Sequence, residues 1–382
     1  MIAGLEHPFR ALVLATVLLS GCAGVEPYHL YFGDMHGHTE LSDGKGSVQD
    51  YFAHARDVSA LDFAIVTDHD FGNAAPWRMS QETWTETQTT ADENTEDGRF
   101  IAIAGYEWTS QPKYWDHVDA EGNREAIFEG SPRFYNHKNV YFPSPVTDIF
   151  RSKDAAYNSP DRLAAAVERE GGLIHDNHPT QGLAGRDQWD YTQESGSVIV
   201  NTEIGADTVL YQGETYQTGM EQLVRDLLDR GGRAGFVGGS DTHEGRPSAR
   251  TAVYATELTR EGVFEALRKR RNYAVSNARI LLDFRINGHF MGEEVEIEGK
   301  PRLRVAVEGT DRIKEVAVIK DGSVLMSKSG VGKAVSFEHV DDTFDGAGYY
   351  YVRVTQVDLD EHGNPSRAWS SPIWVRETKE RP

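Results

Sequence analysis

The sequence predicts an α/β protein with a parallel sheet, followed by a small all-β unit. Short apolar runs alternate with segments of helical periodicity up to about residue 278. From about residue 279 the pattern changes to the alternation typical of antiparallel strands. A chain of 382 residues is also too long for one ordinary core. We therefore expect an α/β domain over 22–278 and a β-sandwich over 279–382, after an N-terminal segment over 1–21.

The candidate strands of the first domain are short and apolar, as buried parallel strands are. They are expected at 29–32, 63–67, 100–104, 139–142, 172–175, 197–201 and 234–237. Three helices lie between or after them. Pro160 opens the first and Gly171 closes it; Thr218 and Glu221 form a capping box for the second; the third begins near Thr259.

The last hundred residues read as strands. Leu303, Val305 and Val307 alternate with polar residues, which predicts a strand with one buried face. Asp321-Gly322 lies between two apolar runs and is typical of a β-hairpin turn. This region holds few clustered histidines or carboxylates, so the chemistry is expected upstream.

The N-terminus resembles a bacterial lipoprotein signal. The apolar run over 11–19 has the length of a signal-peptide core and ends in Leu19-Ser20-Gly21-Cys22. The resemblance implies that 1–21 is removed, that Cys22 is lipidated, and that the protein is exported and anchored to the membrane of a bacterial cell envelope by lipid. The alternative is a fortuitous cysteine. Cys22 is the only cysteine, so no intramolecular disulfide can form.

The formal charge of −21 limits the partners. A surface of this charge repels polyanions, so nucleic acid is not expected as a partner. A small anionic substrate remains compatible, because a bound metal ion reverses the local field.

Histidines and acids recur close to the predicted strand ends. His36 and His38 are two apart, so an extended strand presents both to one face, as a metal requires. Each cluster alone could be a polar turn or a surface acid. Gathered at one edge of a sheet they would repel or desolvate one another unless cations neutralise them. The remaining members are Asp43, His69, Glu107, His137, His178, Asp241 and His243.

These motifs resemble those of the PHP (polymerase and histidinol phosphatase) family of metal-dependent hydrolases, in a branch with a C-terminal β-domain. The resemblance covers about residues 30–275 and is carried by Asp34-Met35-His36-Gly37-His38-Thr39, Ser42-Asp43-Gly44, Thr67-Asp68-His69, Glu107, His137, His178 and Asp241-Thr242-His243. It implies a distorted (β/α)7 barrel that holds two or three divalent metal ions.

The resemblance also implies how the ligands are shared. His36, His38, Glu107 and Asp241 would hold one ion, and Glu107 would bridge to a second ion held with His137 and His178. The third ion would be held by Asp43, His69 and His243. Imidazole and carboxylate ligands suit Zn, Mn or Fe. A metal-bridging hydroxide would then serve as the nucleophile.

Four further residues are candidates around these ligands. His175 and Arg246 are candidates for substrate contact, because a cation near the metals can bind a phosphate oxygen. Packing or surface solvation explains both equally well. Asp34 and Asp68 are expected to orient the imidazoles.

The predicted function is a metal-dependent phosphoesterase acting on a small, anionic substrate. One site design serves many reactions, so hydrolysis of a carboxyl ester, carbamate or amide stays open. A third hypothesis is a non-catalytic cell-surface binding module with a vestigial barrel. Metal loading separates the enzymes from the module, and leaving-group preference separates the two enzymes.

Overall fold

The computed structural model describes residues 28–70, 79–110, 135–179, 187–205, 219–276, 278–330, 332–360 and 363–378, with the backbone of four short strands between them. The predicted signal peptide, Cys22 and Thr218 lie outside the described residues. No helix within the described residues is both long enough and apolar enough to cross a bilayer.

The described helices are short and the strands are many. The helices are α1 Val48–Ala53, which continues into a π-helical turn His54–Val58, α2 Gln81–Asn94, α3 Pro160–Arg169, α4 Met220–Asp229 and α5 Arg260–Arg268, with 3₁₀ turns at Asp187–Trp189 and Ser195–Ser197. The strands before α5 are β1 His29–Asp34, β2 Phe63–Val66, β3 Ile101–Ser110, β4 His117–Val118, β5 Arg124–Glu125, β6 Asn136–Tyr141, β7 Leu173–Asp176, β8 Ile199–Glu203, β9 Thr208–Tyr211, β10 Glu214–Gln217, β11 Gly235–Val237 and β12 Thr251–Ala255. Those after α5 are β13 Asn272–Ser276, β14 Leu281–Ile286, β15 His289–Phe290, β16 Glu294–Ile297, β17 Arg302–Glu308, β18 Ile313–Lys320, β19 Ser323–Ser329, β20 Ala334–Val340, β21 Ala347–Leu359, β22 Pro365–Ser370 and β23 Ile373–Glu377.

One long mixed sheet organises the molecule, in the order β11-β8-β7-β6-β3-β2-β1-β12-β13-β22-β21-β18-β19. All seven strands expected upstream are present. The expectation of an all-parallel sheet is wrong, because β6 runs antiparallel to both β3 and β7. The antiparallel strands β12 and β13 were not expected from the sequence.

A closed (β/α)7 barrel is not confirmed. The described chain contains five α-helices, and the sheet order ends at β11. The segments that follow β1 and β11 nevertheless meet, because His38 N donates to Thr242 O at 2.9 Å and Asp241 N donates to His36 O at 3.0 Å. The two segments that carry most of the predicted ligands are therefore joined directly by backbone hydrogen bonds.

Close packing of buried strands fixes the position of β1. All four residues of β2 are buried, as expected for an apolar central strand. A side chain at Gly33 would place its Cβ 2.5 Å from Phe63 O, so only glycine allows β1 to approach β2 this closely. This approach sets the position of the chain immediately before His36.

The expected helix starts hold at two of three places. Helix α5 follows Thr259, whose hydroxyl accepts from Gly262 N at 3.1 Å. Helix α3 begins at Pro160, as expected. The expected capping box of α4 is wrong, because Gly219 occupies the N-cap position in the left-handed conformation. The side chain of Glu221 instead contacts the C-terminal strands.

The C-terminal strands form a two-layer sandwich, as expected. A four-stranded sheet in the order β15-β14-β17-β20 packs its apolar face on the end of the long sheet, with Phe284, Val305 and Val352 buried between them. Asp321 and Gly322 both have positive φ, 47° and 72°, and form the expected hairpin turn between β18 and β19. Strand β13 pairs with β22, so the sandwich shares a sheet with the first domain. The boundary at residue 279 stays a prediction.

The carboxylate of Glu221 fastens α4 to the sandwich. It accepts hydrogen bonds from the Tyr351 hydroxyl at 2.8 Å, from Arg353 at 2.9 Å and from Trp369 Nε1 at 3.3 Å. The neighbouring Arg225 adds a hydrogen bond at 2.7 Å. Burial opposes ionisation of this carboxyl, but the charge of Arg353 and the hydrogen bond from Tyr351 prevail and lower its pKa.

Candidate metal centre

The nine predicted ligands lie in one connected cluster at the edge of the long sheet. Within it, overlapping groups have ligand atoms within 4.8 Å of one another. These groups are His38–Asp43–His69–His243, His36–His38–Glu107, His36–His178–Asp241, His69–Glu107–His137 and His36–His175–Glu203. The last group contains Glu203, which was not among the predicted residues.

Segments at strand ends supply most of these side chains, as the sequence predicts, but two lie within strands. Glu107 lies in the interior of β3, and His137 is the second residue of β6. These strands are antiparallel neighbours, with Glu107 opposite Asn139 and Thr109 opposite His137. The pairing places both side chains over the same part of the sheet.

Glu107 occupies the centre of the cluster and is 1% exposed. The distances from its Oε1 are 2.9 Å to His137 Nδ1 and 3.4 Å to both His36 Nε2 and His178 Nε2. Its Oε2 is 2.7 Å from His69 Nδ1 and 3.7 Å from His38 Nε2. Burial raises the pKa of this carboxyl, but His137, His69 and His36 outweigh burial and lower the pKa well below its ordinary value.

The outer group consists of His38, Asp43, His69 and His243, and its exposed members are Asp43 and His243. Asp43 Oδ2 lies 3.3 Å from His243 Nε2, and Asp43 Oδ1 lies 3.7 Å from both His38 Nδ1 and His69 Nε2. The side chains of Asp43 and His243 are about one-third exposed, whereas Glu107 is enclosed. Burial lowers the pKa of His243, but the hydrogen bond to Asp43 and the charge of Asp241 raise it to about 9.

Asp241 connects the inner and outer histidines. Its Oδ1 is 3.1 Å from His38 Nε2 and 3.4 Å from His36 Nε2. The backbones of Asp241 and His178 have positive φ, 49° and 22°, which non-glycine residues rarely adopt. Such strain persists only where the surrounding contacts impose it, and it clusters at functional sites.

Asp34 and Asp68 act on the ligand loops rather than directly on imidazole rings. Asp34 accepts backbone N–H groups from Ser240 at 2.9 Å and Ser248 at 2.8 Å, which ties the loop after β11 to β1. Asp68 accepts the Ser42 hydroxyl at 2.6 Å, and Ser42 Oγ lies 3.3 Å from His38 Nδ1. Asp68 therefore reaches a histidine through one serine.

The two candidates for substrate contact lie apart from the central carboxylate. His175 is fully buried, and its Nε2 lies 3.4 Å from Glu203 Oε1, so the structure does not present it to a substrate. Arg246 is exposed on the segment after His243, and the contact described for it is a backbone hydrogen bond from its N–H to Thr242. Its role as a phosphate contact stays a prediction.

Glu203 and Asn177 are site residues that the sequence analysis missed. Glu203 Oε1 lies 2.9 Å from His36 Nδ1. Asn177 Nδ2 donates to Glu107 Oε1 at 2.7 Å and to Asn139 Oδ1 at 2.9 Å. A signal existed for both, because Asn177 directly precedes His178 and Glu203 follows a predicted strand.

The donor set fits divalent metal ions. His38 stacks on His243 with ring centroids 4.4 Å apart and lies 4.7 Å from the ring of His69, so several imidazole nitrogens converge on a small space. Glu107 Oε2 is buried without a hydrogen bond, although His69 Nδ1 is near. Nitrogen and oxygen ligands of this kind hold Zn, Mn or Fe, so the residues present suit the ions that the sequence implies.

The fold and the site thus define a mixed α/β protein with clusters of histidine and carboxylate that could hold metal ions. A family model described as "Protein of unknown function (DUF3604)" matches residues 201–300. An uncharacterized protein of Chlamydia trachomatis is 26% identical over 93% of this chain and 58% of its own length. One of Chlamydia pneumoniae is 26% identical over 91% of this chain and 57% of its own length. The chain thus spans less than two-thirds of these curated relatives.

Among solved structures, the chain is similar to a two-domain protein of Bacteroides vulgatus. That protein is described as containing a predicted PHP-like metal-dependent phosphoesterase. The similarity covers 89% of this chain and 94% of that chain, with 16% identity and a TM-score of 0.44.

Proposed function

We propose that this protein is a metal-dependent hydrolase of the PHP type, and that its substrate is a small phosphate ester. The observation that carries the proposal is Glu107, a single enclosed carboxylate with imidazole nitrogens of five histidines within 3.7 Å. A structural ion pair has no need of so many imidazoles. A carboxylate bridging two ions does, because each ion needs its own nitrogen ligands.

The residues of the site either bind the ions in this proposal or position the residues that bind them. In the proposal one ion lies among His36, His38, Glu107 and Asp241, a second among Glu107, His137 and His178, and a third among Asp43, His69 and His243. Divalent ions bound here would supply an activated water and offset the negative charge that develops at phosphorus. In this proposal the attacking group is water, so no serine or cysteine nucleophile is required.

The surrounding residues keep this arrangement fixed before substrate arrives. Asn177 holds Oε1 of Glu107 by a hydrogen bond, so the carboxylate cannot rotate freely. Asp34 fastens the loop that carries Asp241 to β1. Asp43 and His243 face solvent, and the outer group is therefore the side from which a substrate would approach. Arg246, on the same segment, is the proposed contact for a phosphate oxygen.

The test uses purified protein freed of metal and reloaded with Mn²⁺ or Zn²⁺. It is assayed in parallel on an aryl phosphate monoester, an aryl phosphate diester and an aryl carboxyl ester. Metal-dependent turnover of a phosphate ester supports the proposal. Turnover of the carboxyl ester alone would favour a hydrolase of carboxyl esters, carbamates or amides instead. A protein that binds no metal would favour the non-catalytic binding module.

We also propose that the protein is exported and held at the membrane by lipid on Cys22. The support is the order of apolar run, small residues and cysteine in the sequence.

A further inference from the structure

Glu203 contacts two predicted ligand segments at once. It is the last residue of β8 and is 4% exposed. Its Oε1 lies 2.9 Å from His36 Nδ1, and its Oε2 accepts the backbone N–H of His178 at 2.6 Å. One carboxylate therefore joins a residue that follows β1 to the loop that follows β7.

The contact with His36 determines which ring nitrogen is free. A carboxylate at Nδ1 holds the ring proton there and leaves the Nε2 lone pair available. Nε2 is the atom that faces the centre, at 3.4 Å from both Glu107 Oε1 and Asp241 Oδ1. The orientation of His36 toward an ion thus depends on Glu203.

The contact with His178 acts on the backbone. His178 has the unusual φ of 22°, and its Nε2 points to Glu107 at 3.4 Å. A charge-assisted hydrogen bond to the peptide N–H offsets part of the cost of this conformation. Without Glu203, the His178 loop loses the acceptor that holds it.

A third residue shows that the space for this carboxylate is built into the fold. A Cβ on Gly239 would lie 2.2 Å from Glu203 Oε1 and 2.4 Å from His36 Cβ. The φ of Gly239 is not in the left-handed region, so the glycine is needed for room and not for its backbone conformation. Glycine at this position leaves the Glu203–His36 pair undisturbed.

We infer that Glu203 is a positioning residue of the metal centre, which orients His36 through its ring and His178 through its backbone. Glu203 itself binds no ion. The inference rests on the proposed function, because it assigns a role within the same metal centre.

The test measures Mn²⁺ binding to the metal-free full chain by calorimetry, with the number of bound ions counted by elemental analysis. Glu203→Gln is isosteric, and its NH₂ group cannot accept a hydrogen bond in place of the second oxygen. We expect the Mn²⁺ Kd to rise about 10–100-fold, as for other outer partners of metal-bound histidine, with the number of ions at saturation unchanged. Gly239→Ala should also raise the Kd, because its methyl group would displace both the carboxylate of Glu203 and the side chain of His36.

Two controls separate positioning from folding. Glu221→Gln removes a half-buried carboxylate whose hydrogen bonds go to the sandwich and to Arg225 rather than to the predicted ligands, so it should lower the Tm without changing the Kd. Gly196→Ala adds a methyl group where no atom lies within 4 Å, and it should change neither quantity.

Each remaining outcome decides the question. If wild type binds Mn²⁺ and folded Glu203→Gln binds it with the same Kd, the inference is overturned and the proposed function stands. Loss of one ion at saturation would make Glu203 a ligand, which also overturns it. A wild-type protein that binds no Mn²⁺ would refute the proposed function and the inference together.

Discussion

Replacing the central carboxylate should harm the site more than replacing the exposed one. Glu107→Gln and Asp43→Asn each remove one negative charge and keep the side-chain shape. Glu107 contacts five histidines and serves two proposed ions, whereas Asp43 contacts three histidines and serves one. The comparison therefore tests the bridging role directly.

The expected loss of metal affinity depends on how many ions each carboxylate serves. Loss of a group that only supports a metal ligand costs about 10–100-fold in affinity, and a lost ligand costs at least as much. For Glu107 the penalty applies at two ions, so we expect a combined loss of about 10²–10⁴-fold, against about 10–100-fold for Asp43. Glu107 is also 1% exposed, so water cannot replace it as readily as it can replace the one-third exposed Asp43.

The assay counts Mn²⁺ per chain after dialysis and measures turnover of an aryl phosphate ester at saturating Mn²⁺. Cooperative thermal unfolding of both metal-free variants shows that each is folded. Glu107→Gln should lose two ions and nearly all turnover, and Asp43→Asn should lose one ion and part of the turnover. Equal losses in the two variants, or none in either, would refute the bridging assignment.

Three further predictions concern other parts of the molecule. Glu221→Ala leaves Arg353 and Tyr351 without their acceptor and should destabilise the fold by about 3 kcal/mol, the scale of hydrogen bonds to a charged group; unchanged urea unfolding would contradict this. Hydrogen bonds from Thr343, Lys320 and Tyr350 outweigh burial and lower the pKa of Asp341 to about 2, below its value of about 3.9 in unfolded chains. The stabilisation by Asp341 should therefore be complete above pH 4 and be lost as the pH falls toward 2, so the Tm gap between wild type and Asp341→Asn should narrow from pH 7 to pH 3; a constant gap would count against it. Cys22→Ser should release the protein from the membrane fraction of a bacterial host that lipidates wild type, and retention would exclude a lipid anchor.

The sequence alone predicted seven strands of the first domain, the hairpin turn and the nine residues that the structure brings into one cluster, because each leaves a local signal. Buried strands need apolar runs, and the turn at Asp321-Gly322 needs two residues that tolerate positive φ. The spacing of two between His36 and His38 predicts that both project to one side, and both lie in the segment that follows β1. These patterns involve residues that are close together in the sequence, so they can be recognised without knowledge of the fold.

Only the tertiary structure decided which strands run antiparallel and which carboxylates orient the ligands. The apolar run of β6 predicts a strand but carries no information on its direction, which is set by its antiparallel pairing with β3 and β7. The residues next to Glu221 in the sequence predict that it caps a helix. In the structure it accepts hydrogen bonds from residues of the sandwich that are about 130 positions away. Glu203 gains its place beside His36 because β8 and β1 bring together residues separated by 167 positions, and Gly239 leaves room for both. Local sequence specifies which side chains are available, and long-range packing determines which of them meet.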